Sequence, residues 1–169
     1  VLDGGTGNDI LRGGRDSDLY IFGLGYGHDT IDDGNDNPFL EHVDMVQFKP
    51  GITAENLRFH RNGASNDLLI TFVDANGLET GDSLTVKGQF YSQNALFFVL
   101  QPDKIERFVF GDFSFLTEHD IMDSVLRAAK TDGEDAIFGF YRDDTIDGGK
   151  GNDLLVGRDK GDTYIFARR

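Results

Sequence analysis

The chain has 169 residues, enough for one domain or two small ones with a buried core. Thirty acidic residues against sixteen basic ones leave a formal charge of −14, which excludes a nucleic-acid partner, because polyphosphate binding needs a basic footprint. Absence of cysteine excludes disulfides, thiolate metal sites and a cysteine nucleophile; it leaves export open, since bound metal can stabilise a small exported module in place of disulfides.

Residues 1–33 begin with Gly4-Gly5-Thr6-Gly7-Asn8-Asp9-Ile10-Leu11-Arg12, a word of the form GGxGxDxUx in which U is a large apolar residue. In such a unit the first six residues suit a glycine-rich turn and the last three a short strand, because glycine permits the positive φ angles that tight turns need. Aspartate recurs at the sixth position as Asp9 and Asp18, and the eighth position, Leu11 then Tyr20, is predicted to face the core. A two-residue insertion, Phe22-Gly23, precedes a degenerate unit, Leu24 to Asp32, that contains Asp29 and Ile31.

From residue 34 to 130 the glycine turns give way to apolar alternation. Val46 and Phe48, Leu57 and Phe59, Leu68 with Ile70 and Phe72, Leu84 and Val86, and Phe108 with Phe110 predict half-buried strands. Asn62-Gly63 and Asn76-Gly77 are hairpin-type turn signals, and Ala95 to Leu100 predicts one strand covered on both faces. One helix is predicted over 117–130. Thr117 and Asp120 have capping-box spacing, Leu116 and Ile121 form a staple, and Ile121, Val125, Leu126 and Ala129 share a stripe.

Residues 131–169 return to the first pattern. Asp135, Asp144, Asp153 and Asp162 are spaced by nine, with Ile137, Ile146, Leu155 and Tyr164 at the core position. Thr145 to Phe166 matches Val1 to Phe22 at an offset of 144, so the chain is expected to be one period of a longer blocked array. Both ends fall inside repeat sequence, no signal peptide opens at Val1, and no apolar run suffices for a membrane span.

If two half-turns make one coil, residues eighteen apart stack. Asp135 then faces Asp153, Asp144 faces Asp162, and the insertion keeps Asp29 opposite Asp9. Stacked carboxylates repel unless neutralised, and turn carbonyls supply further hard oxygen ligands, so Ca²⁺ is the expected filling.

The nonapeptides resemble RTX (haemolysin-type calcium-binding) repeats. The middle, including Asp44-Met45-Val46-Gln47-Phe48, Gly81-Asp82-Ser83-Leu84-Thr85-Val86 and Ile105-Glu106-Arg107-Phe108, is similar to the linkers between RTX blocks. Block-and-linker arrays of this kind are similar to those of adenylate cyclase toxin and of large RTX exoproteins. The resemblance implies an all-β architecture: parallel β-roll blocks at 1–33 and 131–169 flanking a β-rich linker with one short α-helix. It also implies type I secretion from a Gram-negative bacterium, folding outside the cell on calcium, and neighbouring blocks of the parent chain as partners.

The resemblance further implies that each ion takes the carbonyls of positions two and four plus the aspartate of one turn, with positions one and three plus the aspartate of the turn stacked on it. The implied ligands are Gly5, Gly7 and Asp9 with Leu24, Tyr26 and Asp29; Thr131, Gly133 and Asp135 with Gly148, Lys150 and Asp153; and Phe140, Arg142 and Asp144 with Gly157, Asp159 and Asp162. In the third set the motif glycines are missing, and Arg142 and Lys160 bring positive charge near the ion.

Gly81-Asp82-Ser83-Leu84 spells an esterase nucleophile word, but a serine nucleophile needs a positioned base and an oxyanion hole, and Ser83 opens an alternating strand. The expectation is a non-enzymatic calcium module of an exported protein. The alternatives are an adhesive or carbohydrate-binding segment of a surface adhesin, and an accessory part of an RTX enzyme.

Overall fold

A computed structural model describes residues 1–34, 42–95, 98–100 and 104–166. The first five strands are β1 (Leu2–Asp3), β2 (Ile10–Leu11), β3 (Leu19–Phe22), β4 (His28–Ile31) and β5 (Met45–Phe48). They alternate between two sheets, because each short strand ends in a turn that sends the chain across to the other layer. β1, β3 and β5 pair in parallel in one sheet, and β2 and β4 pair in parallel in the other.

The strands that follow enlarge both sheets. β6 (Leu57–His60), β7 (Leu68–Val73) and β8 (Glu79–Val86) form an antiparallel meander whose last strand lies parallel to β4, completing the order β2-β4-β8-β7-β6. Asn76-Gly77 lies in the β7–β8 connection, with Gly77 at φ 81°. β9 (Gln93–Ala95) and β10 (Phe98–Leu100) pair antiparallel with Phe98 opposite Ala95. The single strand expected over Ala95 to Leu100 is therefore corrected to the facing ends of a hairpin; Leu96 and Phe97 lie outside the described residues. β11 (Arg107–Val109) joins β5 in parallel and β12 (Phe115–Thr117) joins β11 antiparallel, giving the order β1-β3-β5-β11-β12.

Helix α1 spans Glu118–Ala129. The Thr117 hydroxyl accepts from the Asp120 N–H, and the Asp120 carboxylate accepts from the Thr117 N–H at 2.9 Å, so two N–H groups at the helix start are satisfied reciprocally. Ile121, Met122, Val125 and Leu126 are buried, and α1 packs on β6, β12 and the last block. That block holds β13 (Ala136–Phe138), β14 (Thr145–Asp147), β15 (Leu154–Val156) and β16 (Thr163–Ile165), with β13 parallel to β15 and β14 parallel to β16.

The fold is thus mostly β with one helix, its sheets mixed and open, with parallel pairs where the nonapeptides lie. The two large sheets pack face to face: Phe22 and Phe48 from the first meet Phe72 from the second, at ring separations of 4.8 and 5.9 Å. Burial of these aromatic rings dominates the core energetics. The predicted eighth-position residues Leu11, Tyr20, Ile31, Ile137 and Ile146 are buried, whereas Tyr164, on the last strand, stays 40% exposed.

Strand pairing runs across 33/34 and core packing across 130/131. β3 pairs with β5 and β4 with β8 across the first, and Phe90 lies 4.8 Å from Phe140 across the second. One hydrophobic cluster runs through all three segments. The reason is physical: two-residue strands bury too little apolar surface alone, so the coils borrow their core from the longer strands beside them.

Candidate metal-binding turns

The turns are built around a recurring contact between a glycine and the aspartate five residues later. Gly4, Gly13, Gly139, Gly148 and Gly157 each lie against the carboxylate of Asp9, Asp18, Asp144, Asp153 and Asp162; a Cβ at Gly4 would sit 2.8 Å from Asp9 Oδ2, and one at Gly148 would sit 2.5 Å from Asp153 Oδ2. The carboxylate therefore folds back over its own turn. A second recurrence links successive coils. The backbone N–H of each sixth-position aspartate donates to the carboxylate stacked on it: Asp9 to Asp29 at 3.0 Å, Asp135 to Asp153 at 3.1 Å and Asp144 to Asp162 at 3.0 Å.

In the first turn pair the Gly7 N–H donates to the Tyr26 carbonyl at 2.8 Å, which sets Gly7 beside Gly27. Asp29 is 1% exposed, and Oδ2 of both Asp9 and Asp29 is buried without a hydrogen-bond partner. Burial raises the Asp29 pKa, the Asp9 N–H opposes that rise, and the nearby charges of Asp9, Asp3 and Asp82 add to it. Gly5 donates its N–H to Asp3 at 3.2 Å, and Leu24 is half exposed. Two buried carboxylate oxygens with no donor are a site short of positive charge.

In the second pair Thr131 lies beside Gly149, and the Thr131 carbonyl would be 2.5 Å from a Cβ there. The Gly133 carbonyl would overlap a Cβ at Gly151, so both carbonyls expected as ligands face the turn stacked on them. Asp135 itself caps its own turn, accepting from the Thr131 N–H and hydroxyl, each at 2.7 Å. Lys150 reaches away to Asp132 at 2.7 Å. In the third pair Asp144 likewise accepts from the N–H four residues back, that of Phe140 at 2.5 Å, but its other oxygen accepts from a charged side chain, Arg142 Nε at 2.8 Å; Gly157 donates its N–H to the Tyr164 hydroxyl.

Among the described residues no three His, Cys, Asp or Glu side chains are grouped to hold a metal. An ion in these turns would take most of its ligands from backbone carbonyls, which suits Ca²⁺ and not a transition metal. The donor chemistry of the first two pairs fits Ca²⁺: carboxylates, glycine-turn carbonyls and, in the first, unpartnered buried oxygens.

Sequence reasoning missed three carboxylates in the same ladders. Asp44 Oδ1 accepts from the Asp18 N–H at 2.7 Å, and Glu106 Oε2 accepts from the Asp44 N–H at 2.7 Å. The shared word, carboxylate-x-apolar in Asp18-Leu19-Tyr20, Asp44-Met45-Val46 and Glu106-Arg107-Phe108, was the available signal. Asp82 accepts from the N–H groups of Gly25 and Gly27, each at 3.0 Å, closing the turn above Asp29.

Ser83 and His28 do meet, with Nδ1 2.9 Å from Oγ on an exposed face. They are cross-strand neighbours on β8 and β4, and the Ser83 N–H is used by the Gly27 carbonyl at 2.9 Å, as a sheet requires.

The molecule is therefore a mixed-sheet β protein with stacked glycine–aspartate turns. Comparison with known proteins finds 34% identity over 133 residues, 79% of this chain, to iron-regulated protein FrpA of Neisseria meningitidis serogroup C. The chain covers 10% of that protein's length. No family model matches the chain. The expected RTX assignment, with its likeness to adenylate cyclase toxin, does not hold: the repeat words do not bring the chain within a family model, and a protein it is similar to is FrpA. Among the described residues no helix is long and apolar enough to cross a membrane.

Proposed function

We propose that this chain is a calcium-binding β-roll segment of a larger exported protein, in which metal binding between stacked turns is coupled to folding. The observation that carries the reading is the pair of buried, unpartnered carboxylate oxygens on Asp9 and Asp29. Gly5, Gly7, Asp9, Leu24, Tyr26 and Asp29 would hold one ion, and Thr131, Gly133, Asp135, Gly148, Lys150 and Asp153 a second. Bound Ca²⁺ supplies positive charge that neutralises the facing aspartates and ties one coil to the next.

The segment's own work is structural, not catalytic. The glycine turns present carbonyls, the aspartates present charge, and the apolar eighth positions join the coils to the central core. With a formal charge of −14 the chain repels itself unless cations condense on it. Calcium at the roughly 10⁻⁴ to 10⁻³ M affinity of extracellular modules would leave the terminal coils loose inside a cell and close them outside. Export by a type I route and adjoining blocks of the parent protein as neighbours belong to the same proposal.

Chelation is expected to loosen the coils around Asp9–Asp29 and Asp135–Asp153 first, leaving the β5–β8 region in place, as circular dichroism and hydrogen exchange in EGTA would report. An unchanged spectrum and unchanged exchange in excess EGTA would defeat the reading. Asp153→Ala should lower calcium affinity more than Asp16→Ala, because Asp16 stands outside the sixth position at φ 73°, where other units place glycine; equal effects would count against the ligand register.

A further inference from the structure

We propose that Arg142 serves as an internal cation at the Asp144 turn, so that this third turn pair closes without metal and takes no calcium. The inference rests on the calcium reading only for its contrast with the first pair. Asp144 has a side chain 0% exposed, and Arg142 one that is 20% exposed. A carboxylate buried to that extent is tolerated only when paired and hydrogen-bonded. Both oxygens are supplied from within the chain: Arg142 Nε donates to Oδ1 at 2.8 Å and the Phe140 N–H donates to Oδ2 at 2.5 Å. Asp9 and Asp29, by contrast, each keep Oδ2 buried with no donor.

The guanidinium is itself fixed from outside the turn. Its other end pairs with Asp123 on α1, which ties the helix to the block it precedes. The fork of an arginine can hold two carboxylates in different directions, which a lysine's point charge does not do. The carbonyl side of the turn is also engaged by a cation: Arg61 Nη1 donates to the carbonyls of Phe138 and Gly139 at 3.2 and 3.1 Å, and its guanidinium lies 4.7 Å from the centre of the Phe140 ring.

The turn stacked above follows the same substitution. Arg158 and Lys160 hold φ angles of 75° and 87° where the preceding turn has Gly149 and Gly151 at 76° and 124°. Positively charged residues thus occupy left-handed positions that favour glycine. Arg158 uses its charge to reach the Ala64 carbonyl at 3.2 Å, beside Arg61's loop. Where the Asp9–Asp29 pair leaves two buried oxygens without a donor, the Asp144 turn brings its own cation. It forms a metal-independent start from which the calcium-dependent coil can grow.

The test is hydrogen exchange of the whole chain in EGTA. Amides of 140–147 are expected to be protected in the wild type, to lose on the order of a hundredfold or more of that protection in Arg142→Gln, as breaking a buried ion pair implies, and to recover part of it in Arg142→Gln/Asp144→Asn. Unprotected wild-type amides, or protection unchanged in Arg142→Gln, would overturn the proposal. Calcium stoichiometry by equilibrium dialysis gives a second arm: the double variant should bind as many ions as the wild type, and the loss of one ion would overturn it. If the wild type binds no calcium at all, the reading of the Asp9 and Asp153 turns fails, while exchange in EGTA still decides the role of Arg142.

Discussion

Gly27→Ala is expected to destabilise the protein by about 2–5 kcal/mol, and Gly25→Ala, two residues away in the same turn, by about 1–2 kcal/mol. Both glycines are left-handed, at φ 93° and 80°. An alanine at either position meets the same backbone penalty. Only Gly27 is also pressed against the neighbouring coil: a Cβ there would overlap the Gly7 carbonyl oxygen and lie 2.9 Å from Asn8 Oδ1, whereas a Cβ at Gly25 meets nothing within 4 Å. The excess loss at Gly27 therefore measures the close stacking of one turn on the next. Urea denaturation in saturating calcium, where this coil is closed, reads the two values. Equal losses would mean that the turns do not stack as tightly as their backbone contacts require.

Asp29→Asn is expected to change stability in opposite directions with and without calcium. In metal-free protein Asp29 is a buried carboxylate whose pKa is raised by burial and by the charges of Asp9, Asp3 and Asp82. Asparagine keeps an oxygen for the Asp9 N–H and removes the charge, so the metal-free variant should be more stable by ~1 kcal/mol or more. With calcium present the same change deletes a charged ligand, and affinity should fall on the order of tenfold or more. The pH dependence has a definite sign. A raised folded-state pKa gives a stability contribution present below the ordinary aspartate range and lost as pH rises through the raised value. Metal-free wild type should therefore lose stability across that window, and Asp29→Asn should not. Calcium competes with the proton, so its affinity should fall as pH falls through the same window. Thermal melts of both proteins in EGTA and in calcium check these signs, and an Asp29→Asn variant destabilised equally in both conditions would contradict them.

The parts of the fold legible in the sequence are those set by local chemistry. Turn glycines, the Thr117–Asp120 cap, the Asn76-Gly77 hairpin and the buried eighth positions each depend on residues within a few positions of one another. The joining of β5 to β3 and of β8 to β4 does not. Those pairings span 26 and 55 residues between hydrogen-bonded partners such as Asp18 with Asp44 and Gly27 with Asp82, and their register is fixed by the intervening loops and the shared core, not by the nonapeptide period. For the same reason Asp44, Asp82 and Glu106 were not recognisable as members of the carboxylate ladders, although the carboxylate-x-apolar word hinted at two of them. Arg61 shows the limit most plainly. It reads as an ordinary charged residue beside a turn, yet burial lowers its pKa to about 10 and it links the 61–67 loop to Phe138 and Gly139. Nothing local specifies that contact.

If calcium completes the facing aspartates, the melting temperature of the whole chain rises with calcium concentration. A site filled at a hundred times its dissociation constant contributes about 2.7 kcal/mol, which in a chain of this size corresponds to roughly 5–10 °C per site. Two increments are predicted for the wild type, one of them reduced in Asp29→Asn and the other in Asp153→Asn. The same melting temperature in EGTA and in saturating calcium would contradict the claim.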